Sequence, residues 1–335
     1  VRWDGQRVGA SSDGDQPAEL TLFGMESCGR TFDTPEFHGM TFYEVRARTI
    51  INKVPAASRV PFQWTINPYR GCGHACVYCF ARRTHEYLDL DAGHDFDSKV
   101  IVKVNAPELL RKELVKPSWR GEPIAMGTNV DCYQRAEGRY QLMPRIIAAL
   151  RDARNPFSIL TKGALLLRDL ELLREAAQVT DVALSVSIGS VDAELWREVE
   201  PGTPSPQARL RMCRTLADAG FSVSVLMAPI LPFLSDGPER LEETVRAIAE
   251  AGAASVTPIV LHLRPGAREW YLAWLARLHP ELVPRYQSLY SGGSYPPRAY
   301  QQRVCAMVRD LTERHGVGTQ RHNPRNMAHR YPLTG

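Results

Sequence analysis

The stretch Cys72-Gly-His-Ala-Cys76-Val-Tyr-Cys79 packs three thiols into eight residues, directly behind the turn Asn67-Pro68-Tyr69-Arg70-Gly71. These spacings let a loop fold back so that three thiolates face one centre and leave a fourth metal position without a protein ligand. Thiolate is the soft ligand that both iron–sulfur clusters and zinc favour, so the trio alone does not choose between them. A structural zinc site needs a fourth ligand at knuckle spacing; His74 and His85 are the nearby side chains, and there is no second Cys-x-x-Cys pair. A chance match to this pattern among seven cysteines in 335 residues has a likelihood of about a few in a thousand. Seven cysteines so unevenly placed do not make a disulfide framework, and reduced thiols are expected.

Outward from this loop, short β-rich runs alternate with amphipathic helices, the pattern of parallel strands joined by crossover helices. The runs are Phe62 to Asn67, Val100 to Val104, Ile124 to Thr128, Phe157 to Thr161, Val182 to Ile188, Ser222 to Ala228 and Ser255 to Leu261. Asn105 with Pro107 starts one helix; Leu142, Ile146, Ala149 and Leu150 line the next, and Leu166, Leu170 and Leu173 a third. Ser205 is a good N-cap with Pro206 at the first helical position, and Leu210, Cys213 and Leu216 recur at helical spacing before Gly220. Leu241, Val245 and Ile248 face inward on a helix from Pro238 to Gly252. A βα series of this kind puts its chemistry on loops after the C-terminal strand ends, and the cysteine loop follows the first run.

Composition bounds the rest. A content of 44% apolar residues builds the core of one large domain, and the formal charge of +4 permits a nucleic-acid partner without requiring one. Apolar runs such as Val223 to Leu234 are broken by serine and proline and fall short of a bilayer span, so no membrane partner and a cytoplasmic location are expected. Val1 reads either as an alternative start codon or as the sign of a missing first segment. Residues 1–36 are expected to form a mobile N-terminal segment, because Asp4 to Glu19 holds few apolar residues. Phe42, Tyr43, Val45, Ile50 and Ile51 dock a lead-in onto the body, which spans 37–265. Trp270, Trp274, Leu275 and Leu278, with the helix from Pro296 to His315, form C-terminal helices over 266–316. A basic tail follows over 317–335, with Arg321, Arg325 and Arg330.

The Cys-x-x-x-Cys-x-aromatic-Cys pattern, with Tyr78 as the aromatic, resembles that of the radical S-adenosylmethionine (radical SAM) enzymes. Tyr69-Arg70-Gly71-Cys72, Tyr78-Cys79-Phe80-Ala81-Arg82 and Ile159-Leu160-Thr161-Lys162 are similar to the branch related to spore photoproduct lyase and the DNA repair photolyases. The resemblance covers roughly Tyr43 to Leu263 and implies an α/β fold, a partial (β/α)6-type TIM barrel with an N-terminal lead-in and a C-terminal helical extension. It also implies that Cys72, Cys76 and Cys79 bind three irons of a [4Fe-4S] cluster whose fourth iron is chelated by SAM. Reductive cleavage of SAM then gives a 5′-deoxyadenosyl radical that abstracts a hydrogen atom from substrate.

By the same resemblance Tyr78 or Phe80 lies near the adenine, Thr128 and Asn129 approach the methionine amino group, and Lys162 meets the SAM carboxylate or ribose. The Gly-Gly-Glu pattern frequent in the family is absent near Thr128. Ser185 and Ser187, two apart on a strand, share a face toward the ribose, and Ala228 offers backbone groups to adenine. Arg209, after Glu200-Pro201-Gly202-Thr203, can partner a carboxylate, with a helix-surface position the preferred reading. The branch uses a cysteine near the position of Gly127 to return a hydrogen atom; here the nearest thiol is Cys132, read as a catalytic donor from the loop. The donor position of the branch is thus not matched at Gly127, a departure from strict thymine-dimer reversal. The implied substrate is nucleic acid, helped by Arg82, Arg83 and the tail, and the implied reductant a donor such as flavodoxin or ferredoxin. The rival readings are a radical SAM enzyme acting on a peptide or small metabolite and a non-catalytic zinc or Fe–S protein. The sequence does not indicate an oligomeric state.

Overall fold

Six of the predicted runs line up as parallel neighbours in the order in which the chain presents them. The computed structural model describes residues 17–22, 25–32, 34, 37–58 and 60–318. Strands β1 (Pro17–Leu22), β2 (Met25–Arg30) and β3 (Thr41–Val45) come first, followed by β4 (Ile51–Lys53), β5 (Trp64–Ile66) and β6 (Tyr69–Arg70). After the cysteine loop come a 3-10 helix (Phe80–Leu88), α1 (His94–Ser98), β7 (Lys99–Lys103) and α2 (Ala106–Leu114). The regular series then runs β8 (Ile124–Met126), α3 (Arg135–Tyr140), α4 (Leu142–Asp152), β9 (Phe157–Thr161), α5 (Leu170–Val179), β10 (Val182–Ser187), α6 (Ala193–Val199), α7 (Pro206–Asp218), β11 (Val223–Ile230), α8 (Pro238–Glu250) and β12 (Ser255–Val260). Helices α9 (Ala267–Leu278), α10 (Val283–Leu289) and α11 (Arg298–Arg314) close the described chain.

The main sheet has the order β12-β11-β10-β9-β8-β5-β4. Its first six members are mutually parallel, and β4 adds an antiparallel edge to β5. This is the six-stranded partial barrel. Register is set by buried side chains: Ile66 stands beside Met126, Met126 beside Ile159, Ile159 beside Leu184 and Leu184 beside Val223. Along β9 the burial alternates, with Phe157, Ile159 and Thr161 inside, as a two-residue period requires. The helices pack by the periodicity read from sequence: α4 buries Leu142, Ile146, Ala149 and Leu150, and α8 buries Leu241, Val245 and Ile248. Each of these leucines, isoleucines and valines contributes about 1.5–3 kcal/mol by leaving water. Ser205 caps α7 by accepting from the Ala208 amide at 3.2 Å, with Pro206 in the first turn.

One run belongs elsewhere. Val100 to Val104 does form β7, but β7 lies in a second sheet of order β1-β2-β3-β7-β6, parallel to β3 and antiparallel to β6. Four of its five residues are buried, so an apolar run of this kind reads the same whichever sheet receives it. Within the N-terminal segment, residues 17–22 and 25–30 form an antiparallel pair joined to β3; residues 1–16 lie outside the described set. Asn105 with Pro107 does start α2, and the Asn105 side chain exchanges two hydrogen bonds with the backbone of Ala47, which ties the lead-in to the barrel.

The C-terminal helices have two docking places. Tyr271, Trp274 and Tyr286 of α9 and α10 pack with Val77 of the cysteine loop, Val199 and Leu261, while Val304, Val308 and Leu311 of α11 pack on Leu241, Val245 and Val260. Leu278, expected in the apolar stripe, is exposed. Among the described residues no helix is long and apolar enough to cross a membrane. Arg321, Arg325 and Arg330 lie outside the described residues.

Candidate active site

The cysteine loop leaves the short strand β6 and is held from three sides. Fully buried Gln134 brackets its first turn, donating to Gly71 O at 2.8 Å and accepting from the Gly73 amide at 3.1 Å. The Cys72 amide donates to Phe96 O at 2.9 Å. On the far side the Val77 amide donates to Val199 O at 3.0 Å and the Gly202 amide to His74 O at 3.1 Å. A Cβ at Gly202 would stand 2.1 Å from Gly73 O, so only glycine permits this approach of loop to loop.

Arg82 forms the floor. It is 0% exposed, donates twice to Cys76 O and also to Ala92 O and Gly93 O, pairs with Asp97 at 2.8 Å, and lies over the rings of Phe96 and Trp270. The reading of Arg82 as a nucleic-acid contact is therefore corrected: its planar donors are spent on the backbone that carries Cys76. Arg83, one residue on, is exposed.

Cys72 and Cys76 are buried and Cys79 is half-buried. Burial pushes all three thiols up, so as thiolates they call for a cation beside them. The two histidines have other partners: His74 Nδ1 lies 3.4 Å from Asp131 Oδ2, and His85 Nε2 is 2.9 Å from Lys99 O. Among the described residues no three His, Cys, Asp or Glu side chains gather so as to hold a single metal ion. Three soft sulfurs with no fourth ligand from the loop suit an iron–sulfur cluster that keeps one iron open.

Beside the loop lies a buried polar network. Glu200, 4% exposed, accepts from Tyr78 Oη, pairs with Arg209 at 2.5 Å and has Lys162 Nζ at 3.7 Å. Lys162 Nζ meets Ser187 Oγ at 2.6 Å, and that hydroxyl meets Ala228 O at 3.1 Å. Burial raises the Glu200 carboxyl, but the Arg209 and Lys162 charges with the Tyr78 and Arg209 hydrogen bonds outweigh it and hold the group down at about 2. Arg209 is 1% exposed and also donates to Ser187 O at 3.0 Å, which overturns the helix-surface reading. Asp131 is a second hub, accepting from Thr161 Oγ1 at 2.6 Å and the Lys162 amide at 2.7 Å while facing His74.

The predicted site residues thus separate into groups. Lys162, Ser187, Ala228 and Tyr78 are joined by direct contacts, with Lys162 Nζ 5.9 Å from the centre of the Tyr78 ring. Ser185 is one pleat back along β10 and half-buried. Thr128 and Asn129 are half-buried in the bend after β8, and Gly127 before them, at φ +78°, has Leu160 O where a Cβ would go. Phe80 turns outward, with His262 at 5.8 Å. Cys132 is 0% exposed within the main core, its thiol pushed well up by burial, so the structure does not bring it to this network. Glu200 and Asp131 are the functional candidates that sequence reasoning did not assign; both ions are joined to partners on other elements, which no local pattern displays.

Comparison with known proteins bears on the family and the fold. A family model described as the Radical SAM superfamily matches residues 66–248. The uncharacterized protein Rv2578c of Mycobacterium tuberculosis is 50% identical over 313 residues, which is 93% of this chain and 92% of that one. Spore photoproduct lyase complexed with dinucleoside spore photoproduct superposes with a TM-score of 0.64 at 17% identity, covering 92% of this chain and 86% of that one. A variant of the same lyase with bound AdoMet and dinucleoside spore photoproduct has a TM-score of 0.61 at 17% identity, over 82% of this chain and 79% of that one.

Proposed function

Because the chain belongs to the radical SAM superfamily, we propose that it holds a [4Fe-4S] cluster on Cys72, Cys76 and Cys79, binds SAM beside Lys162, and acts on a nucleic acid. The observation that carries this reading is the junction of the three-thiol loop with the buried Tyr78–Glu200–Lys162–Ser187 network at the C-terminal ends of the parallel strands. When bound, the cluster and SAM supply a 5′-deoxyadenosyl radical after reduction by a one-electron donor such as flavodoxin or ferredoxin.

The chain's own residues do the positioning. Arg82 and Gln134 hold the loop backbone, so the three sulfurs are presented without reorganisation. Lys162 is half-buried and lies near the Glu200 carboxylate, so its ammonium can turn to a second carboxylate, that of SAM, at small cost. Ser187 and the Ala228 carbonyl offer hydrogen bonds toward the ribose and adenine, and Tyr78, whose ring lies toward Lys162, is the aromatic on that side. Thr128, Asn129 and Ser185 complete the set for the amino group and ribose. Glu200, Ser187 and Arg209 are buried and Tyr78 and Lys162 half-buried, which limits the access of water that would quench a radical.

A nucleic-acid substrate is supported by the fold shared with a lyase solved with a dinucleoside photoproduct and by the charge of +4. The test is anaerobic reconstitution followed by SAM and a strong reductant, with binding to DNA and RNA measured across a salt series. Formation of 5′-deoxyadenosine and a negative slope of log affinity against log salt are expected. No 5′-deoxyadenosine from reconstituted protein would overturn the chemistry. Salt-independent or absent binding, with cleavage stimulated by a peptide or small metabolite, would overturn the substrate class.

A further inference from the structure

Three rings from distant parts of the chain meet at the rim of the site. Phe80 follows Cys79 directly; His262 comes two residues after β12; Tyr295 lies in the loop before α11, which is tied to the strand end by the Leu263 amide donating to Ser294 O at 2.8 Å. The His262 ring stacks on Tyr295 at 5.4 Å and 23° and meets Phe80 at 5.8 Å and 37°. Arg264 lies over the Phe80 ring at 5.6 Å and reaches Tyr295 Oη at 3.4 Å. Phe80 is 36% exposed and Tyr295 52%, which is a large apolar area to leave in water.

We infer that Phe80, His262 and Tyr295, with Arg264 over the Phe80 ring, form a stacking platform for an unpaired base of a single-stranded or locally opened nucleic acid. The inference rests on the nucleic-acid reading above and deepens it by naming the place and form in which the strand is held. Aromatic rings with an arginine among them bind bases without regard to sequence, because every base has a π-face. A buried reaction centre also demands an opened strand: a base that enters it leaves its stack, and its neighbour needs a new surface at the rim. The surroundings suit a phosphate backbone. Arg83 packs against the 264–266 turn, since a Cβ at Gly266 would lie 3.1 Å from Arg83 Cβ, and Arg268 donates to Gly293 O at 3.4 Å on the other flank. The acidic groups there are Glu86, paired with Arg83 in a solvated bridge, and Glu269, engaged by the Gly266 amide. A solvated pair of this kind is weak and yields to a phosphate. Burial, with the Arg264 charge, lowers the His262 imidazole, which keeps the middle ring neutral at pH 7.

The test uses reconstituted holoprotein and two labelled single strands of equal length, oligothymidine and the same backbone carrying abasic sites. Wild type should bind oligothymidine more tightly than the abasic strand. Tyr295→Ala should weaken oligothymidine by about 5- to 100-fold, the effect of one lost stack, and change the abasic strand little. Tyr295→Phe, which keeps the ring, should retain wild-type binding. If wild type binds both strands with a salt-dependent slope yet does not distinguish them, or Tyr295→Ala binds oligothymidine as wild type does, the platform is overturned while the nucleic-acid reading stands. If wild type binds neither strand, both fall. If Tyr295→Ala weakens SAM as much as oligothymidine, the rings hold the adenine of SAM and the platform is overturned.

Discussion

Replacing Glu200 by glutamine keeps its shape and removes its charge, leaving the Arg209 guanidinium, 1% exposed, and the neighbouring Lys162 ammonium without their shared counterion. Breaking one side of a buried ion pair costs about 3–5 kcal/mol, because the remaining charge is desolvated and uncompensated. Unfolding entropy of about 2.1 cal/mol/K per residue gives ~0.7 kcal/mol/K for 335 residues, so the midpoint should fall by ~4–7 °C. The pH dependence follows from the carboxyl being held down at about 2 when folded. Its stabilising effect is complete above the ordinary glutamate range near 4.3 and is lost as pH falls from there toward about 2. The gap between wild type and Glu200→Gln should therefore be full at pH 6 and shrink below pH 4. Thermal unfolding followed by circular dichroism at several pH values measures this. Adding Arg209→Met should recover part of the loss, since a pair replaced on both sides leaves no stranded charge. A variant within one degree of wild type at pH 6, or a gap that stays constant down to the acid limit of folding, would refute the assignment of Glu200 as the ion that binds the network together.

Arg82→Lys should lose most of the iron retained by wild type after desalting, because one ammonium cannot replace donors that reach Cys76 O, Ala92 O, Gly93 O and Asp97 together; retention at the wild-type level would contradict the floor role. Lys162→Met should weaken SAM by ~10- to 100-fold in anaerobic equilibrium binding while leaving iron content unchanged, the loss of one charge-assisted hydrogen bond. Gly127→Ala should destabilise the fold by several kcal/mol in urea unfolding, since its φ is +78° and its Cβ would stand 1.8 Å from Leu160 O; an unchanged midpoint would show that the bend can relax.

Much of the barrel was legible because its signals are local. Period-two runs, helical stripes and caps such as Ser205 with Pro206 report on neighbouring residues, and six strands appeared where those signals lay. Val100 to Val104 went astray because burial on both faces erases the alternation that would assign a strand to one sheet. The site was legible at the cysteine loop, where spacing itself is the chemistry, and at Lys162, Ser187 and Ala228, which stand at the ends of strands that local signals reveal. Arg82 and Arg209 read as surface residues because arginine is usually solvated, and the partners that bury them, Asp97 and Glu200, are on other elements. The rings of Phe80, His262 and Tyr295 meet only after the barrel has brought the first and last strand ends to one rim. No reading of a window along the chain could have joined them.

The central claim is that Cys72, Cys76 and Cys79 hold a [4Fe-4S] cluster, and metal and sulfide analysis of anaerobically reconstituted protein tests it most directly. The account predicts iron and acid-labile sulfide in equal amounts in wild type and loss of both in Cys76→Ala. Tightly bound zinc without sulfide in wild type, or an intact cluster in Cys76→Ala, would contradict it.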